Sequence, residues 1–130
     1  MHEELADVGK LILRLYLGLA LIGHGIYKIL HGIDPIMGLV MNHGLPGWVA
    51  YGVYAGEVLG PVLIILGLFS RVGAGLIVIN MLFAFWMVHM QQLLTLDAHG
   101  GWALQLQGFF LFMALALGLM GSGRLAVYRD

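Results

Sequence analysis

The sequence predicts an all-α fold, a four-helix transmembrane bundle with a short interfacial helix between spans one and two, in one domain of 130 residues. Composition is the first reason: 61% of the residues are hydrophobic and 10% are charged, whereas a soluble domain has about 25% charged residues. The second reason is a set of four apolar stretches, at about 8–30, 48–69, 72–94 and 102–120. Each holds about 20 residues, which at about 1.5 Å per residue covers a hydrocarbon layer of about 30 Å.

Charge and cysteine content exclude several classes of protein. The formal net charge is -1 at pH 7, which does not fit the basic surface of a nucleic-acid-binding domain, so we expect no nucleic-acid partner. The chain has no Cys, which excludes a disulfide scaffold, a thiolate metal site and a thiol nucleophile within it. Phosphate-loop, zinc-protease and serine-hydrolase motifs do not occur in the sequence, and we expect no bound metal.

The first span carries ionisable residues near both ends. Arg14 lies near one end, and we expect it to reach out of the membrane as a topology anchor. Near the other end, His24, Lys28 and His31 follow at i, i+4 and i+7, which places them on one helix face. The presence of each of these residues in the span needs a physical reason, because inserting an ionisable group into lipid costs at least ~2.5 kcal/mol on insertion scales.

The link between spans one and two contains its own helix signal. Asp34 is a suitable N-cap, Pro35 suits the first turn, and Gly44 with Pro46 would end the helix. Its apolar residues would form one underside: Ile36, Met37, Leu39 and Val40. We therefore expect a short helix that lies on the membrane surface.

Span two combines a glycine stripe with a buried acid. Gly52, Gly56 and Gly60 recur every four residues, and Gly67 extends the stripe, which favours a ridge for a neighbouring helix. The alternative is that glycine is simply common in membrane spans. Glu57 lies about nine residues into the span, so its carboxylate must be paired or protonated there.

Spans three and four follow a tight turn at 69–71 and a loop at 95–101. Asn80 lies nearly opposite His89 on an ideal helix, and we expect it to bond to another helix. The basic residues that share a side with the termini are Lys10, Arg14, Arg71, Arg124 and Arg129, whereas the other side has Lys28 alone. The positive-inside rule therefore predicts cytoplasmic N- and C-termini in a bacterial-type inner membrane.

The polar residues of the spans gather in the half of the bundle away from the termini. We expect Glu57, His24 and Lys28 to form the heart of a catalytic cluster, completed by His89 and by Gln105 or Gln107. Trp86 and Tyr54 could stack on a bound ring. The alternative is a hydrogen-bond network that fixes helix register and has no catalytic role.

The chain resembles the DoxX family of small four-helix membrane proteins. The residues that carry the resemblance are Arg14, His24–Lys28, Gly44–Pro46, Glu57, Leu66–Arg71, His89 and Gly121–Arg124. The resemblance implies an inner-membrane bundle with a role in quinone or thiol redox chemistry. Two departures bear on the fourth span: Gln105 and Gln107 stand where relatives often carry an acid, and Ala126–Tyr128 replaces a Ser-x-Asp sequence.

These observations support three hypotheses about function. The first is a subunit of a quinone-dependent oxidoreductase, with quinone as cofactor and a partner redox protein as electron donor. The alternative is a non-enzymatic membrane anchor or assembly partner for a soluble redox or metal-handling protein. The third is a haem-binding subunit with His24 and His89 as ligands. The glycine ridge is also compatible with a homo-oligomer in the bilayer.

Overall fold

A computed structural model describes residues 2–86 and 105–128 of the chain. It contains five helices: α1 (His2–His31), α2 (Asp34–Asn42), α3 (Gly47–Leu66), α4 (Ser70–Ala84) and α5 (Gln105–Met120). The β-structure in this part of the chain is one isolated bridge between Leu68 and Tyr128. The predicted all-α class is therefore confirmed.

One described helix is long and apolar enough to cross a membrane. It is α3, with 20 residues and a mean hydropathy of 1.8, and only 33% of its apolar window is buried. Helix α4 and residues 107–120 of α5 are shorter apolar helices, and the predicted spans 72–94 and 102–120 both run into residues 87–104, outside the described part. The four-span arrangement therefore stays a prediction.

The main core lies where α1, α3, α4 and α5 meet. Leu17, Leu21, Ile64, Ile77 and Leu117 have no exposed surface and form its centre. Around this core many large apolar side chains face outward, including Leu19 on α1, Ile79 on α4 and Leu119 on α5. A surface of this kind suits a lipid environment better than water.

Glycines set how closely α3 and α4 approach. A Cβ on Gly60 would lie 2.9 Å from the Gly73 carbonyl oxygen, and one on Gly73 would lie 2.8 Å from the Gly60 carbonyl oxygen. Gly56 likewise lies against the Asn80 side chain. The predicted ridge is confirmed for Gly56 and Gly60. It is wrong for Gly67, which ends α3 at φ 72°, and for Gly52, whose Cβ would meet nothing within 4 Å.

Arg14 does not reach out of the bundle. The residue is 1% exposed, and its guanidinium donates to the carbonyl oxygens of Ile64 at 2.8 Å, Ile65 at 3.3 Å, Ser122 at 3.0 Å and Leu125 at 2.7 Å. The prediction of a membrane-surface anchor is wrong. The last carbonyls of α3 lack helical partners, and the buried guanidinium satisfies them.

The segment after α5 folds back onto the start of the chain. The N–H groups of Val127 and Tyr128 donate to the carbonyls of Leu66 and Gly67, each at 3.0 Å. Arg124 donates to the Asp7 carboxylate at 2.5 Å, and this hydrogen bond holds the pKa of Asp7 below its usual value. The C-terminal segment is thus held against both α1 and the α3–α4 turn.

Helix α2 packs its apolar face on the start of α3. Val40 is 1% exposed and lies in a small cluster with Ile33 and Ala50, flanked by Ile36 and Met37. The predicted helix and apolar underside are confirmed. Ile33, however, holds the N-cap position and α2 begins at Asp34 with no side-chain cap, so the predicted capping by Asp34 is wrong.

Candidate functional site

The backbone of α3 changes its hydrogen-bond pattern at Glu57. Residues Ala55–Leu59 form a π-helical turn in which the Gly60 N–H donates to the Ala55 carbonyl, five residues earlier. Pro61 follows and has no N–H to donate to the Glu57 carbonyl, which favours such a local change. Single π-helical turns inside α-helices occur often at functional sites.

Helix α1 touches this turn through a glycine. A Cβ on Gly25 would lie 2.5 Å from the Glu57 carbonyl oxygen and 2.7 Å from Val58 Cγ2, so a larger residue would push the helices apart. Lys28 lies three residues after Gly25 and hence on the same face of α1. The close approach at Gly25 therefore brings the Lys28 side chain within reach of the Glu57 carboxylate.

Lys28 and Glu57 form an ion pair between α1 and α3. The Lys28 Nζ lies 2.8 Å from Glu57 Oε1 and 2.5 Å from Oε2, and the two side chains are 27% and 5% exposed. The Tyr54 hydroxyl also donates to the Lys28 carbonyl oxygen, at 3.4 Å. The buried acid thus has a basic partner, the condition under which a carboxylate is tolerated inside a bundle.

A cavity of about 210 Å³ lies beside this ion pair. All five helices contribute to its wall. The polar residues that line it are His24, Lys28, Glu57, Asn80 and Gln107, and the apolar ones are Leu21, Ile36, Leu39, Val53, Met81, Phe83, Ala84 and Phe110. Four predicted residues, His24, Lys28, Glu57 and Gln107, therefore meet at one cavity.

Three of the polar lining residues keep their hydrogen-bonding capacity. The His24 ring packs edge-on against Phe110, with ring centroids 5.7 Å apart. Within the described part of the chain, neither His24, Asn80 nor Gln107 makes a side-chain hydrogen bond. The cavity therefore combines a satisfied ion pair with groups that can bond to a ligand's oxygen atoms.

Other predicted residues lie apart from the cavity wall or outside the described residues. Trp86 is 46% exposed and packs against the His43 ring at a centroid distance of 4.9 Å. Tyr54 contacts the Lys28 backbone but is not part of the wall. The positions of His89 and of the Gln105 side chain lie outside the described part, so the haem ligand pair is not tested. His31, at the end of α1, stacks on Tyr27 with ring centroids 4.0 Å apart and does not line the cavity.

Asn80 is the polar residue on the cavity wall that the sequence analysis did not assign to the site. The sequence predicts that Asn80 bonds to another helix. In the structure its side chain packs against Gly56 of α3 and lines the cavity. The signal available in the sequence was an amide in an otherwise apolar span, one turn from the aromatic Phe83. The aromatic residues on the cavity wall are Phe83 and Phe110, whereas Trp86 and Tyr54 do not line it.

Comparison with protein families identifies the chain. The DoxX family model matches residues 9–90, well over half of the sequence, including Arg14, His24, Lys28 and Glu57. The comparison with curated proteins finds no match. The comparison with solved structures also finds none. The match over residues 9–90 shows that this chain belongs to the DoxX family and is a membrane protein.

Proposed function

We propose that this protein binds the head group of a quinone in the cavity beside Lys28 and Glu57, as a subunit of a quinone-dependent oxidoreductase. The observation that carries the proposal is a set of polar side chains on the cavity wall that make no hydrogen bond to any residue within 2–86 and 105–128: His24, Asn80 and Gln107. A hydrogen-bond network that only fixes helix register would leave no such groups on the wall. A ligand with two carbonyl oxygens, in contrast, needs hydrogen-bond donors on the wall of its cavity.

The dimensions and walls of the cavity suit a single ring. Its volume of about 210 Å³ lies below the ~300–1,000 Å³ of pockets that hold drug-sized ligands. Phe83 and Phe110 offer aromatic contacts, while the amides and the imidazole offer hydrogen bonds. A bound quinone would supply the redox chemistry. The chain's own residues would hold and orient it, and a partner redox protein would deliver the electrons.

We further propose four membrane spans with both termini in the cytoplasm. The apolar outer surfaces of α1, α4 and α5 support spans that contact lipid. The excess of Lys and Arg on the side of the termini supports the orientation.

The absence of Cys gives a clean background for testing this topology. In spheroplasts, an impermeant maleimide is expected to label Asn42→Cys but not Glu4→Cys or Arg71→Cys. All three variants should be labelled once the membrane is permeabilised. Labelling of both Glu4→Cys and Arg71→Cys from outside in intact spheroplasts would contradict the proposed orientation, and labelling of only one of the two would contradict the four-span arrangement.

Replacing His24 with leucine tests the quinone site. Loss of one ligand hydrogen bond is worth about 1 kcal/mol, so the variant should bind a tailless benzoquinone analogue about five- to tenfold more weakly than the original protein. Thermal stability should change little, since the His24 ring makes one aromatic contact and no described hydrogen bond. Quinone titration of the purified protein in detergent measures the affinity, and thermal unfolding in the same detergent measures the stability.

A histidine outside the cavity provides the control for this test. His43 is exposed and its Nδ1 lies 2.8 Å from the Leu39 carbonyl oxygen, so His43→Leu should leave quinone affinity unchanged. Equal affinities in the original protein, His24→Leu and His43→Leu would contradict the proposed site.

The second candidate is a non-enzymatic membrane anchor or assembly partner. One observation favours it: Lys28 and Glu57 satisfy each other, as a purely structural ion pair would. This function predicts no stabilisation of the protein by any quinone. It also predicts that a partner protein is still captured by a chain that carries His24→Leu.

A further inference from the structure

A second cavity adjoins the first one. It measures about 130 Å³ and lies between α2, α3 and α4, with Gly52, Leu76 and Ile79 on its wall. Val53, Asn80 and Phe83 line both cavities, so the two spaces share part of their walls. Among the residues that the structure describes, Asn80 is the sole polar one on this second wall, whereas five polar residues line the first.

Gly52 lines the second cavity and does not serve close helix packing. A Cβ at Gly56 or Gly60 would collide with α4, so packing explains both glycines, but a Cβ at Gly52 would meet nothing within 4 Å. Close helix packing therefore gives no reason for glycine at this position. A side chain at position 52 would begin in open space at the wall of the second cavity.

We infer that the second cavity holds the first part of the apolar tail of the ligand whose head group occupies the first cavity, namely an isoprenoid quinone. The inference rests on the function proposed above. An apolar cavity of about 150 Å³ accepts a benzene-sized group, so one branched isoprenoid unit suits the volume of about 130 Å³. The polar cavity next to it accepts a single ring, which suits a quinone head group better than a phospholipid head group.

Filling the second cavity from Gly52 tests the inference. We expect Gly52→Val to weaken binding of a ubiquinone with two isoprenoid units about tenfold, the usual effect of blocking a small apolar group in a pocket. Binding of the tailless dimethoxy-methyl-benzoquinone should be unchanged, because Gly52 does not line the first cavity. Both affinities are measured on purified protein in the same detergent, so that partition of the tail into micelles cancels between variants.

Gly75 provides the matched control. A Cβ there would also meet nothing within 4 Å, and the residue lines neither cavity, so Gly75→Val should change neither affinity. Leu76→Phe narrows the second cavity from α4 and replaces Gly52→Val if that variant does not fold; we expect the same selective loss of the tailed quinone.

The possible outcomes separate the two proposals. If the original protein binds the tailless quinone but Gly52→Val weakens both quinones equally or neither, the tail site is overturned while the head-group site stands. If the original protein binds neither quinone, the proposed function itself fails. If Gly52→Val reduces only the phospholipid that native mass spectrometry finds on the purified protein, the second cavity is a lipid acyl site and the inference is overturned.

Discussion

Arg14→Lys is expected to destabilise the protein strongly although it preserves the charge. The guanidinium donates to four carbonyl oxygens in two segments of the chain. A lysine ammonium is a compact donor that cannot reproduce this fork. If the ammonium reaches one of the four carbonyls, three are left without a donor, and at about 1 kcal/mol for each the loss is about 3 kcal/mol. Unfolding of the purified protein in mixed detergent micelles measures it.

Arg71→Lys is the control for the loss of guanidinium geometry. Arg71 is exposed at the start of α4, where water solvates the side chain and exposed ionic contacts contribute little, so the same exchange there should change the free energy of unfolding by no more than about 1 kcal/mol. Similar small effects at both positions would mean that the bonds of Arg14 to the α3 and C-terminal carbonyls carry little net stability.

The location of Arg14 shows what residue counting along a span can and cannot give. Counting turns placed Arg14 in the half of α1 that is nearer the chain termini, and this half does contact the segment after α5. The sequence gives no sign that the last carbonyls of α3 and the segment after α5 meet at this point. A buried cation bonded to carbonyls of two other segments is a product of tertiary packing, which one-dimensional depth cannot reveal.

The ion pair at the site could be predicted because two independent patterns coincide. The i, i+4 spacing placed His24 and Lys28 on one face of α1, and depth counting placed Glu57 within about one helical turn of His24. The first cavity as a whole could not be predicted. Its shape depends on Gly25 meeting the Glu57 backbone and on α2 contributing Ile36 and Leu39 to the wall.

The roles of the glycines were predictable only in part. A four-residue repeat indicates a smooth helix face, and Gly60 does meet Gly73 on α4. The repeat cannot distinguish a glycine that touches a neighbour from one that faces a cavity, because both lie on the same face of α3. Gly52 and Gly56 are one turn apart, yet Gly56 contacts Asn80 and Gly52 lines vacant space.

Exchanging the charges of Lys28 and Glu57 is expected to separate their mutual stabilisation from their role towards a ligand. Each single variant, Lys28→Glu or Glu57→Lys, places two like charges together in a largely buried location and should cost about 3–5 kcal/mol of folding free energy. The double variant restores an opposite pair between α1 and α3. We expect it to recover at least half of that loss, measured by unfolding in mixed micelles.

The folding free energy that the double variant recovers measures the coupling between Lys28 and Glu57. Quinone titration of the same double variant then tests whether the pair also contributes to ligand binding. If the double variant is no more stable than either single one, Lys28 and Glu57 do not stabilise the bundle as a pair. A double variant that folds but loses affinity for the tailless quinone supports a direct role of the Lys28 ammonium towards the ligand. Full stability with unchanged affinity would instead limit the pair to joining α1 and α3, and His24, Asn80 and Gln107 would then carry recognition of the ring.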